Sequence, residues 1–210
     1  RRADRVMAAQ EQARAEQAAQ VQHLAYHDGL TGLPNRLGFG AALAVALAQA
    51  HRHKHAAALM FIDLDGFKAV NDVQGHAAGD ALLQALALRL QGCLRAGERL
   101  FRMGGDEFTV LLPQVASADE AAALAQRLVA AASQPVAVPG GDALVGASIG
   151  IALYPADATD GDALLRLADD AMYAAKALGK GRHALHGGTP ERPAMPAADE
   201  PSVEATHAPG

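Results

Sequence analysis

Two pairs of acids stand beside apolar, β-prone runs: Asp63 and Asp65 in FIDLD, and Asp106 and Glu107 in RMGGDEFTVLLP. At i and i+2 on a strand, Asp63 and Asp65 project to the same side. Acids closing an apolar strand are costly if buried without partners, so something positive should meet them. If FIDLD and the RLFRM–EFTVLLP hairpin are neighbours in one sheet, Asp63, Asp106 and Glu107 converge at one edge. Carboxylate oxygens are the ligands Mg²⁺ takes, with waters and substrate phosphates completing the shell. With a triphosphate, such a site can carry phosphoryl or nucleotidyl transfer. The Gly104–Gly105 pair on its own fits equally well a tight hairpin turn with a solvated acidic edge.

Basic and polar groups supply a complement. Lys176 and Lys180 are four apart in the last helical run, a spacing that puts both on one face and suits phosphate oxygens. Compensation of the helix dipole explains the same spacing. The DGFK segment, Asp65 to Lys68, offers main-chain N–H groups around Gly66 to phosphates. Asn71 and Asp80, in NDVQGHAAGD, present an amide and a carboxylate to a guanine edge, whose N1–H and N2–H₂ both donate. Asp80 equally fits the cap of a helix beginning near Ala81.

The elements that must position these groups alternate along the chain. Helical patterns cover Leu37 to about Ala50, Gly79 to Arg95, SADEAAALAQRLVAAAS and GDALLRLADDAMYAAKALGK. Strand patterns cover AAALMFIDLD, RLFRM, EFTVLLP and ALVGASIGIALYP. The order predicts an α+β domain of the ferredoxin-like or palm kind, with helices flanking a central antiparallel sheet. Residues 1–26, rich in Ala, Gln, Glu and Arg without Gly or Pro, predict a signalling helix with a weak coiled-coil seam. The missing initiator methionine predicts a piece of something longer. Residues 187–210 hold half of the chain's 10 prolines and predict a disordered tail after a domain spanning 27–186.

Composition narrows the classes further. No stretch has the length and apolarity of a membrane span and no leader pattern opens the chain, which predicts a cytoplasmic location without membrane contact from this piece. The net charge of −5 argues against nucleic acid as a partner. Cys93 lies in an apolar helical run, so a buried core thiol is expected. The HRHKH cluster, His51 to His55, lacks an acidic or cysteine partner at ligand spacing and predicts a solvated connector.

Five segments in order give the chain a recognisable signature: DGLTGLPNR (Asp28 to Arg36), FIDLDGFKAVNDVQGHAAGD (Phe61 to Asp80), RMGGDEF (Arg102 to Phe108), SIGIALYP (Ser148 to Pro155) and ADDAMYAAKALGKGR (Ala168 to Arg182). Together they resemble the GGDEF family of diguanylate cyclases, over about Asp28 to Arg182. The resemblance implies a nucleotidyl-cyclase-like fold, Mg²⁺ with Mn²⁺ as an alternative, and condensation of two GTP into cyclic di-GMP and two pyrophosphates across a homodimer. It implies metal contacts from Asp63, the Leu64 carbonyl and Asp106, with Asp106 and Glu107 as the catalytic acids. Asn71 and Asp80 match guanine-reading positions, and Asp80 implies selectivity for GTP. His76, Lys68, Gly104 and Gly105 fall around the nucleotide, and Lys176 and Lys180 match a triphosphate clamp. An upstream sensor domain would act through the N-terminal helix, and the parent protein could be membrane-anchored.

One departure concerns feedback. Relatives with an inhibitory product site carry Arg-x-x-Asp five residues before the glycines, whereas this chain has Arg95 and Glu98, which puts tight product inhibition in doubt. The rival reading is a catalytically silent GGDEF module that binds GTP or a partner and only transmits a signal.

Overall fold

The computed structural model describes residues 24–188 without a break, and residues 12, 14, 17 and 20 ahead of them. The rest of the expected N-terminal helix over 1–26, and tail residues 189–210, lie outside the described residues. In chain order the elements are α1 (Arg36–His53), β1 (Ala56–Asp65), α2 (Phe67–Gln74), α3 (His76–Gly92), β2 (Arg99–Gly104) and β3 (Glu107–Val115). There follow α4 (Ala118–Ala132), β4 (Val136–Val138), β5 (Gly141–Ala143), β6 (Gly146–Tyr154), α5 (Gly161–Ala177) and β7 (His183–Leu185).

The fold is α+β, with helices on both faces of a five-stranded sheet in the order β2-β3-β1-β6-β7. Strand β1 takes the centre because Ala57 to Ile62 are buried without interruption, a run that only a strand covered on both faces can hide. It pairs antiparallel with β3 and β6. Alternation along β1 divides the core: Ala58, Met60, Ile62 and Leu64 join the cluster built with α3 and α4, while Ala57, Leu59 and Phe61 join the one built with α1 and α5. Helix α5 comes down hard on β6 at Gly150, where a Cβ would run into the main chain of Ala168 and Met172. That close approach brings the end of α5 over the end of β1.

Several elements differ from the sequence expectation. Helix α2 intervenes between β1 and the long helix, and α3 starts at His76 rather than Gly79, behind Gly75 at φ 88°. Asp80 therefore lies inside α3 and caps nothing. A small β4–β5 hairpin precedes β6, and β7 adds a parallel edge to an otherwise antiparallel sheet. Three-residue strands carry too little periodicity to be read locally. Cys93 is half-buried at the C-cap of α3, not sunk in the core, because the helix ends at Gly92. His51, Arg52 and His53 form the last turn of α1 instead of a connector, with Lys54 as its left-handed cap. Among the described residues, no helix is long and apolar enough to cross a membrane.

Candidate active site

The β2–β3 turn is built from inside by one arginine. Gly104 and Gly105 adopt φ of 137° and 54°, which side chains with a Cβ resist. Arg102, only 9% exposed, donates from Nε (3.1 Å) and Nη2 (2.8 Å) to the Gly105 carbonyl, and from Nη1 (2.8 Å) to Asp28 Oδ1. The same Asp28 oxygen accepts from Thr31 N–H (2.9 Å) and Thr31 Oγ1 (2.6 Å). Burial raises the Asp28 pKa, but the Thr31 and Arg102 hydrogen bonds outweigh it and hold the carboxyl below its ordinary value. The DGLTGLPNR segment is thus docked onto the turn, with Arg102 N–H also donating to the Pro34 carbonyl at 3.0 Å. Neither Arg102 nor Asp28 stood among the candidate site residues. The signal for them was Arg102 itself, a charge set between the apolar Leu100, Phe101 and Met103 of a strand.

Pairing of β1 with β3 sets Asp63 directly opposite Glu107, and Leu64 N–H donates to the Asp106 carbonyl at 3.3 Å. The positive group expected for the β1 acids is Lys176, whose Nζ lies 2.7 Å from Asp63 Oδ1. Among the described residues no cation pairs with Asp65; neutral donors satisfy it, Ser148 Oγ and Gly181 N–H. Burial pushes the Asp63 carboxyl up; Lys176 works against this, and the charges of Asp106 and Asp65 add to it. Glu107 is raised as well, by burial first and the charge of Asp63 next, with Arg36 opposing.

A raised acid pKa means that the folded protein binds protons more tightly than the unfolded chain, so stability falls as pH rises through that window. For Glu107 the cost is absent below its ordinary value of 4.5 and complete above the raised one. Glu107→Gln is therefore expected to raise the melting temperature of the metal-free protein at neutral pH, and the gain should shrink on acidification towards 4.5. Thermal scans across that range check it; a gain independent of pH would contradict the electrostatic cause.

Among the described residues, no three His, Cys, Asp or Glu side chains converge into a metal cage. The site offers instead two carboxylates, Asp63 and Asp106, and the Leu64 carbonyl: an all-oxygen set of the kind a hard divalent cation shares with water and substrate phosphates. Two neighbouring carboxylates, one with its pKa raised by burial and by the charges of the acids beside it, fit such an ion.

The remaining candidates lie around this core. Asn71 on α2 is half-buried with its amide over Gly79 of α3, where a Cβ would run into it. Lys68, His76, Asp80 and Lys180 are exposed. Lys180 does not share a helix face with Lys176: α5 stops at Ala177, and Lys180 sits in the following loop at φ 61° between two glycines that favour the break. In the α3–β2 loop, Glu98 Oε2 accepts the Arg95 main-chain N–H at 2.7 Å, while Arg95 Nη1 pairs with Glu120 at 3.1 Å. A cavity of about 630 Å³ lies at the other end of β1 beside His51, Lys54, His55 and Tyr154 and has no acid in its lining, so room alone does not mark the chemistry.

A family model described as "Diguanylate cyclase, GGDEF domain" matches residues 25–182. The chain belongs to the GGDEF family. Its GGDEF region is 44% identical over 168 residues to diguanylate cyclase TpbB of Pseudomonas aeruginosa, covering 80% of this chain and 39% of that protein. The solved GGDEF domain of the same protein superposes with a TM-score of 0.74 at 44% identity, over 76% of this chain and 94% of that one. The coiled coil and GGDEF domain of DgcB from Caulobacter crescentus, solved with c-di-GMP, gives a TM-score of 0.78 at 27% identity, over 85% and 95% of the two chains. The chain spans well under half the length of the curated relatives it matches.

Proposed function

We propose that this chain is a diguanylate cyclase, making cyclic di-GMP from two GTP across a homodimer. The observation that carries the reading is the braced Gly104–Gly105 turn, which puts Asp106 and Glu107 beside Asp63 at the end of the central strand. In each half-reaction a 3′-hydroxyl oxygen bonds to the α-phosphorus of the partner's GTP, the α–β bridge bond breaks and pyrophosphate leaves. A carboxylate of the Asp106–Glu107 pair takes the hydroxyl proton; the raised pKa of Glu107 makes it a stronger base than an ordinary glutamate. Bound Mg²⁺ would be held by Asp63, Asp106 and the Leu64 carbonyl and would supply charge stabilisation at the phosphates. Lys176 would then leave Asp63 for the phosphates, with Lys180 beside it. Asn71 and Asp80 read the guanine edge, and Asp80 favours GTP over ATP.

Incubating the purified chain with GTP and Mg²⁺ at several enzyme concentrations, followed by chromatography, tests the reading. Cyclic di-GMP should form, with a yield per enzyme that rises with concentration because two copies must meet. GTP binding without product at any concentration would replace the cyclase by the silent module.

Two side chains give sharper expectations. Gly79→Ala should weaken GTP binding roughly tenfold by displacing the Asn71 amide from a guanine-facing hydrogen bond. Calorimetry with GTP and with inorganic triphosphate checks this, since only GTP should respond. Feedback by cyclic di-GMP should be weak, because Arg95 is committed to Glu120 and Glu98 to the main chain of its own loop. Inhibition at low micromolar product that Arg95→Ala abolishes would overturn that expectation.

A further inference from the structure

Asp65 points to the same side of β1 as Asp63 yet is bonded quite differently. Both of its oxygens take the Ser148 hydroxyl, Oδ1 at 3.0 Å and Oδ2 at 2.9 Å, and Oδ2 also accepts the Gly181 main-chain N–H at 3.0 Å. Ser148 is fully buried in β6, across from Asp63. Asp65 therefore ties the rigid centre of the sheet to a loop 116 residues further along.

That loop carries Lys180. Since α5 ends at Ala177, helix geometry does not fix Lys180 relative to Lys176; the loop does. Lys180 is held in the left-handed region at φ 61°, a conformation that persists in a residue with a side chain only where its surroundings enforce it. The enforcing contacts are Lys180 N–H to the Ala175 carbonyl at 3.3 Å on one side and Gly181 N–H to Asp65 on the other, with Arg182 Nε donating to the Lys180 carbonyl at 3.3 Å. Of these, the bond to the carboxylate is charge-assisted and the stronger.

We infer that Asp65 is a positioning residue for the triphosphate of the nucleotide: it pins the loop after α5 so that the Lys180 ammonium stays beside the site, and it is not a metal ligand. The inference rests on the proposed role of Lys180, so its test has two arms.

The first arm needs no nucleotide. Hydrogen exchange on the full chain should show the Gly181 amide exchanging roughly tenfold faster in Asp65→Ala, and close to wild type in Asp65→Asn, whose amide oxygen still accepts the bond. Unchanged exchange in Asp65→Ala overturns the pin. The second arm measures affinities of a GTP analogue with a methylene α–β bridge and of GMP, for wild type, Asp65→Ala, Lys180→Ala and the double variant. Each single change should reduce the preference for the triphosphate by roughly tenfold, the double change no further, and GMP affinity should stay constant. Additive losses, or equal losses for both nucleotides, overturn the link to Lys180. A wild type that does not prefer the triphosphate removes the clamp reading and this link with it, while the exchange arm still decides whether Asp65 holds the loop.

Discussion

Asp106→Asn is expected to lower cyclic di-GMP synthesis about 10³-fold while slightly raising the melting temperature of the metal-free protein. The two effects have one origin. Asn keeps the size of the side chain and leaves the Asp106 carbonyl free to accept from Leu64 N–H at 3.3 Å, so the turn and the β1–β3 pairing survive. What disappears is one negative charge beside Asp63 and Glu107, both of which it pushes up. The folded protein loses a repulsion, and the proposed reaction loses the carboxylate assigned to the metal and the hydroxyl. Product formation by chromatography and thermal scans without metal, run on the same preparation, check both halves. Activity within tenfold of wild type would show that Asp106 is not at the reacting atoms.

Arg102→Ala should cost about 3 kcal/mol of stability, at the lower end for a broken buried pair because the Asp28 side chain keeps 23% of its exposure. For a chain of this size that is a fall of roughly 6–12 °C in melting temperature. The loss has three parts: the Gly105 carbonyl forfeits both of its guanidinium donors, Asp28 forfeits its cation, and the DGLTGLPNR segment keeps only its main-chain bond to the turn at Pro34. Activity should fall further than stability predicts, because the turn that carries Asp106 is no longer held. Arg102→Lys should recover part of the stability, since an ammonium can reach Asp28 but cannot also present two donors to Gly105. Urea titrations of the three proteins, with synthesis assayed well below the transition, separate the two effects. A stability within about 0.5 kcal/mol of wild type would mean that the brace is dispensable, since most surface substitutions fall in that range.

Local pattern made much of this protein legible. The unbroken apolar run of β1, the hairpin around the Gly-Gly turn, the Ala- and Leu-rich stretches of α1 and α3 and the amphipathic pattern of α4 and α5 are all local features that depend only on near neighbours. The acids were legible too, because carboxylates at the ends of apolar strands conflict with their surroundings unless something meets them. What met them was not legible. Asp63 receives Lys176 and Asp65 receives Ser148 and Gly181, and nothing in FIDLD separates the two acids. The difference arises where α5 ends, and two glycines in LGKGR decide that against a pattern that would carry the helix through Lys180.

The sequence by itself determined the order of the long elements, the family signature and the residue types proposed to bind a metal triphosphate. Only the tertiary structure decided that Arg102, which braces the turn, also ties down Asp28, 74 residues away, and that Asp65 holds a loop 116 residues away. Hydrogen-bond partners at such separations are chosen by how the sheet pairs and how the helices pack on it, and no local spacing encodes them.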